Sequence, residues 1–178
     1  MSETKRVRHG AESSPPVRQQ QAHGYAAVLA TPWSGVRLGV SVHGEFVTSI
    51  DFLAANALAH SASEGVAGEA VRQLQAYFRD PRHTFTLPLQ PMGTPFQLRV
   101  WDALRRIPAG QPRSYGEVAQ HLGSGARAVG GACRANPIPV IIPCHRVVGA
   151  HGVGGFMGVT AGRGLQIKQC LLTHECLS

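Results

Sequence analysis

The chain has 178 residues, 43% of them hydrophobic and 15% charged, with a formal net charge of +7. That length suits one compact domain or two small lobes sharing an interface. No apolar stretch is long enough to cross a bilayer, and the opening MSETKRVRHGAESSPPVRQQQAHG lacks the apolar centre of a secretion signal. No membrane partner is therefore expected, and the expected location is cytoplasmic, or nuclear in a eukaryote.

Residues 1–24 are polar, basic and proline-containing, and they read as a disordered tail. YAAVLATP, GVRLGVSV and EFVTSIDFL then predict three short strands broken at Trp33-Ser34-Gly35 and His43-Gly44, a small antiparallel meander. SEGVAGEAVRQLQAYFRDP sets Val66, Ala70, Leu74, Tyr77 and Phe78 at helical spacing and stops at Pro81. HTFTLPL predicts one further strand. This first unit, residues 25–92, shows no evident chemistry.

From Gly93 the texture turns helical. Thr94-Pro95-Phe96-Gln97 and Ser114-Tyr115-Gly116-Glu117 both carry the pattern of a capping box, a hydroxyl with Gln or Glu three residues on. The first opens a helix with Phe96, Val100, Trp101 and Leu104 on one face. The second opens a short helix through Val118, Ala119 and Leu122. After the turn Gly123-Ser124-Gly125, ARAVGGACRANP predicts a third helix ending at Asn136-Pro137. Helix, glycine turn and helix make the outline of a helix-turn-helix in residues 93–178. The expected fold is thus mixed α/β of the α+β kind.

The last of these helices is unusual in being built from Ala126, Ala128, Gly130, Gly131 and Ala132, with Arg127 and Arg134 standing out. Two adjacent glycines cost about 2 kcal/mol of helix propensity relative to alanine, so close packing against something must compensate. A neighbouring helix would serve, and so would a nucleic-acid groove with an arginine reaching between bases. Charge bears on the choice. Residues 1–92 hold eight Lys and Arg against seven Asp and Glu, whereas residues 93–178 hold nine against three. A basic half of this kind suits a polyanion, and equally a soluble basic surface.

Residues 139–149, PVIIPCHRVVG, set Cys144 and His145 side by side in an apolar run. A thiol is a poor nucleophile until a base or a positive field yields thiolate. In an extended segment neighbouring side chains point to opposite sides, so a bridging water is a better relay than direct contact. The carboxylates available to orient the imidazole are Asp102, Glu117 and Glu175. A structural thiol beside a surface histidine is the plain alternative. Cys133, Cys144, Cys170 and Cys176 are expected to be free thiols in a reducing compartment. With no CxxC pair and no HExxH, neither a metal nor another cofactor is expected.

PCHRV, preceded by RAVGGACRANPIPVII and followed by LLTHE, resembles the O6-alkylguanine-DNA alkyltransferases, suicide repair proteins that take alkyl groups off DNA bases. GTPFQLRVW and SYGEVA fit the same family, and the resemblance runs from about Gly93 to Glu175. It implies a ribonuclease-H-like first unit. It also implies a partner, double-stranded DNA containing alkylated bases, met by a monomer that can cluster along the duplex. Cys144 matches the alkyl acceptor, His145 the base acting through water, Glu175 the carboxylate orienting it, and Asn136 the asparagine bracing the turn. Tyr115 matches the tyrosine that crowds a phosphate and donates to the base, and Arg127 the finger that fills the vacated stack.

The resemblance makes Ala126, Ala128, Gly130 and Gly131 a minor-groove surface, has Val147 offer its carbonyl to a flipped base, and sets Phe156 and Met157 in the loop lining the pocket. Displacement at carbon favours a soft sulfur, and a thioether has no ready hydrolysis route, so each molecule acts once. O6-alkylguanine is the expected substrate and O4-alkylthymine a second candidate. Two other classes differ from this one in a testable way: a lesion sensor would lack the acceptor cysteine, and a thiol hydrolase would turn over repeatedly.

Overall fold

The computed structural model describes residues 24–176, so the tail expected over 1–24 lies almost wholly outside the described residues. The first unit holds strands β1 (Ala27–Ala30), β2 (Val36–His43) and β3 (Phe46–Ala54) in an antiparallel meander of order β1-β2-β3. Their alternation turns Ala27, Leu29, Leu38, Val40 and Ile50 inward beneath helix α1 (Gly65–Arg79). The predicted face of α1 is the buried one, with Ala70, Leu74 and Tyr77 fully enclosed.

HTFTLPL does not form the expected strand. Val47 N–H donates to Pro88 C=O and Gln90 N–H to Val47 C=O, giving one isolated bridge between Val47 and Leu89. Pro88 has no N–H of its own, and a ladder cannot be continued through it.

The second unit begins with α2 (Pro95–Arg105), followed by α3 (Tyr115–His121), α4 (Ala126–Arg134) and α5 (Gly162–Cys176). Both expected capping boxes are closed in both directions. Thr94 Oγ1 accepts from Gln97 N–H as Gln97 Oε1 accepts from Thr94 N–H, and Ser114 and Glu117 do the same. The turn between α3 and α4 is a Schellman closure. Ser124 N–H reaches Ala119 C=O and Gly123 N–H reaches Gln120 C=O, with Gly123 at φ 61°. That position favours glycine. A two-residue parallel pair, β4 (Arg113–Ser114) with β5 (Val147–Val148), ties the entry of α3 to the segment after Cys144.

One continuous apolar core joins the two units, running from Leu38, Val40 and Leu74 through Trp101 and Leu104 to Ile138, Ile142 and Leu171. Trp101 anchors α4 within it. Its indole N–H donates to Ala132 C=O at 2.8 Å, one of the last-turn carbonyls that a helix cannot satisfy itself. Trp101→Phe should keep most of the apolar contact but leave that buried carbonyl unpaired. The expected cost is about 2 kcal/mol of unfolding free energy in urea denaturation; a loss below a few tenths would show that α4 does not depend on the bond.

Candidate active site

The residues around Cys144 are folded by turns rather than held extended. Cys144 N–H closes on Ile142 C=O at 2.8 Å across Pro143 at φ −82° and ψ 65°, an inverse γ-turn. Residues Cys144–Arg146 then form a 3-10 turn, with Arg146 N–H donating to Pro143 C=O. The extended geometry expected from the sequence is corrected here, because two prolines and the buried Val140 at φ 74° bend the chain. Asn136 holds the bend together. Its Oδ1 accepts from Ile138 N–H, and its Nδ2 donates to Ile142 C=O at 2.8 Å and to Cys144 Sγ at 3.2 Å. From the first unit, β3 reaches the same loop through Ile50 N–H to Pro137 C=O at 2.9 Å.

Behind Cys144 lies a buried relay. His145 is fully buried, and its Nε2 lies 2.9 Å from Glu175 Oε1. The same oxygen accepts from Arg146 Nη2 at 2.8 Å and from the Tyr77 hydroxyl at 2.9 Å, while Arg146 Nε also reaches Oε2 at 3.0 Å. Burial alone would raise the Glu175 pKa, but the bonds and charges of His145 and Arg146 outweigh it and bring it down to about 2. Glu175 is therefore an ionised, acceptor-only group, and every partner must donate to it. This fixes the histidine tautomer: the proton sits on Nε2 and Nδ1 keeps a lone pair. His145 Nδ1 has no protein hydrogen-bond partner, one of two such buried side-chain atoms among the described residues. Burial, the first cause, with Arg146 and Lys168 holds the His145 pKa below its ordinary value against the pull of Glu175, so the ring is a neutral base.

Cys144 opens onto a cavity of about 260 Å³, lined also by Tyr115, Gly130, Cys133, Arg134 and the loop 155–160. Phe156 is buried in that loop, edge-on to Phe52 of β3 at 6.0 Å. Met157 and Gly158 both have positive φ, 52° and 82°, and form the tip of a tight reverse turn closed between Phe156 and Val159. The Tyr115 hydroxyl donates to Gly155 C=O at 3.3 Å, and burial raises its pKa to about 12, so it keeps its proton.

Lys168, which the sequence did not single out, is fully enclosed beneath this wall. It donates to Val147 C=O at 2.6 Å and Gly155 C=O at 3.0 Å and lies 5.7 Å from the Tyr115 ring. Burial lowers its pKa to about 8, opposed by the two thiols nearby. Val147 does not line the cavity, and its carbonyl already serves Lys168 through one of its two lone pairs. Burial raises the Cys144 pKa, with Asn136 and Lys168 opposing it, so the resting sulfur is a thiol.

On α4, Ala126, Arg127, Ala128 and Gly131 are exposed, and Val129, Ala132 and Cys133 pack inward. A side chain at Gly131 would meet nothing within 4 Å, and one at Gly130 would meet only Tyr115 at 3.9 Å. Packing inside the molecule therefore requires neither glycine. Among the described residues no group of His, Cys, Asp and Glu is arranged to hold a metal ion, and no helix is long and apolar enough to cross a membrane.

Residues 95–177 match the family model described as 6-O-methylguanine DNA methyltransferase, DNA binding domain. The constitutive methylated-DNA–protein-cysteine methyltransferase of Bacillus subtilis is 48% identical over 113 residues, covering 62% of this chain and 66% of that protein. The methylated-DNA–protein-cysteine methyltransferase of Methanosarcina acetivorans is 48% identical over 110 residues, covering 60% of this chain and 67% of that protein. The matched segment thus spans about two thirds of these relatives. The crystal structure of Mycobacterium tuberculosis O6-methylguanine methyltransferase superposes with a TM-score of 0.68 at 38% identity, covering 85% of this chain and 93% of that one. A structure of the M. tuberculosis protein in complex with DNA gives 0.66 at 38% identity, covering 84% and 91%.

The relay carries a pH signature. The Glu175 pKa is depressed in the fold from 4.5 to about 2, so its ionisation stabilises the protein fully above about pH 5 and stops doing so as pH falls toward 2. Glu175→Gln should lower the urea midpoint at neutral pH, and the gap to the parent should narrow below pH 4.5. A gap independent of pH would contradict an ionised Glu175 at the centre of the relay.

Proposed function

The chain belongs to the O6-methylguanine-DNA methyltransferase family, and on that premise we propose that it repairs duplex DNA directly, moving the alkyl group from O6 of a flipped guanine to Cys144 once per molecule. The observation that carries this reading is the arrangement at Cys144: a sulfur braced by Asn136 on the wall of a base-sized cavity, beside an imidazole whose Nδ1 lone pair is uncommitted. In the reaction the Sγ–carbon bond forms as the carbon–O6 bond breaks. The thiol proton passes through water to His145 Nδ1, and Glu175 stabilises the imidazolium. Tyr115, which reaches the reaction still protonated, turns from Gly155 C=O to donate a hydrogen bond to the departing guanine, which takes up the proton that the thiol gave to His145. Lys168, close to the thiol, favours the developing thiolate.

The target atom is reached only when the base leaves the stack. Arg127, exposed at the start of α4, fills the gap, and Ala126, Ala128, Gly130 and Gly131 form the minor-groove face. The open space outside Gly131 supports this assignment, since no internal neighbour calls for a bare backbone there. Phe156 and Met157 line the pocket, whereas Val147 lies outside its lining with its carbonyl on Lys168, so the base is not assigned that acceptor. The DNA complex of the M. tuberculosis protein supports DNA as the partner. The acting unit we propose is one copy of the chain. A first unit at 25–92 and a second at 93–178 accord with a family match beginning at Pro95. A reducing compartment holding DNA, cytoplasm or nucleus, suits the four free cysteines.

Cys144→Ser should abolish transfer while duplex binding, measured by fluorescence anisotropy, stays within about two-fold, since a hydroxyl is a far weaker nucleophile and α4 is untouched. Loss of binding would contradict the acceptor assignment. Arg127→Ala should slow transfer from a duplex by at least about ten-fold yet leave reaction with free O6-alkylguanine unchanged. Equal losses on both substrates would remove the finger role.

A further inference from the structure

The relay does not lie within one unit. Tyr77, on the last turn of α1, is fully enclosed and donates its hydroxyl proton to Glu175 Oε1 at 2.9 Å, across 98 residues of sequence. The neighbouring residue of α5 returns the contact, His174 Nε2 donating to Tyr77 C=O at 2.9 Å with its ring edge-on to Tyr77 at 5.2 Å. The last turns of α1 and α5 are thus joined at two adjoining positions, one of them the carboxylate that holds His145.

We propose that Tyr77 is a positioning residue for alkyl transfer: its hydroxyl holds Glu175 Oε1 on His145 Nε2 and thereby keeps Nδ1 free to take the thiol proton. The inference rests on the reading of His145 as the base. Ring packing does not account for a tyrosine here, because the contacts with Phe78, Phe85 and His174 would be met equally by phenylalanine. Nor does Glu175 lack for charge, since Arg146 binds both of its oxygens. The hydroxyl adds selectivity. It approaches only Oε1, the oxygen His145 uses, and so fixes which oxygen faces the imidazole. It also takes up part of the negative charge on that oxygen, limiting how far the carboxylate raises the proton affinity of the ring.

The charged and titratable groups acting on His145 are Glu175 and Lys168 from α5, Arg146 and Cys144 from its own turn, and Tyr77 from α1 through Glu175. With the hydroxyl removed, the carboxylate becomes the stronger acceptor, and the imidazole binds a proton more readily.

Tyr77→Phe in the full chain tests this with two measurements, single-turnover methyl transfer from an O6-methylguanine duplex against pH and the nitrogen NMR signals of the His145 ring. Transfer at neutral pH should slow about ten-fold, and the acidic limb of the rate profile should move up by about half a pH unit. Duplex binding should be unchanged, and the His145 nitrogen signals should keep Nε2–H but show the ring taking up its second proton at a higher pH than in the parent protein. Unchanged rate, limb and signals would overturn the proposal. So would a slower rate with a lower melting temperature but unchanged limb and signals, which would make Tyr77 a packing residue. Altered His145 signals with an unchanged rate would overturn the reading of His145 as the base, and with it the catalytic part of this proposal.

Discussion

A single buried carboxylate organises this molecule. Glu175 accepts from His145, Arg146 and Tyr77, which arrive from the turn after Cys144 and from the helix of the first unit. Leaving any one of those donors unpaired inside the core would cost more than the bond itself contributes. The constraint therefore runs both ways: the carboxylate fixes the imidazole tautomer, and its donors fix where the end of α5 can lie. Through His145 and Arg146 the same anchoring places the turn that carries Cys144.

The cavity wall has a similar logic on a smaller scale. Lys168 bridges the carbonyls of Val147 and Gly155, joining the segment after Cys144 to the loop over the cavity, and Tyr115 donates to the same Gly155 carbonyl. Phe156 packs from that loop onto Phe52 of the sheet. Sulfur and phenol thereby face one space, with the ammonium enclosed behind its wall, and each is held by groups that are themselves bonded.

Much of this was legible in the amino-acid order because the signals were local. Two capping boxes, a glycine Schellman turn, the apolar face of α1 and the thiol-imidazole pair each lie within a few residues of sequence. The features missed are those that depend on distance. Helix α5 went unread because its buried positions, Ile167, Lys168, Leu171 and Glu175, carry two charged residues where an apolar stripe would announce a helix. Those two are the ones bonded toward the Cys144 segment, Glu175 to His145 and Lys168 to the Val147 carbonyl. Tyr77 was read correctly as a core position of α1, but its acceptor stands 98 residues away, and the first unit therefore looked chemically silent. HTFTLPL has the composition of a strand and fails through one proline, while β4 and β5 pair over two residues, too short to leave a pattern.

The central claim is irreversible transfer to one named sulfur, and an intact-mass spectrum tests it most directly. The protein would be mixed with excess duplex carrying a single O6-methylguanine, and the product mapped by peptide digestion. The account predicts one added methyl per molecule, located on the peptide that contains Cys144, with no further gain as more duplex is supplied. An unchanged protein mass, with the lesion either intact or repaired, would contradict it.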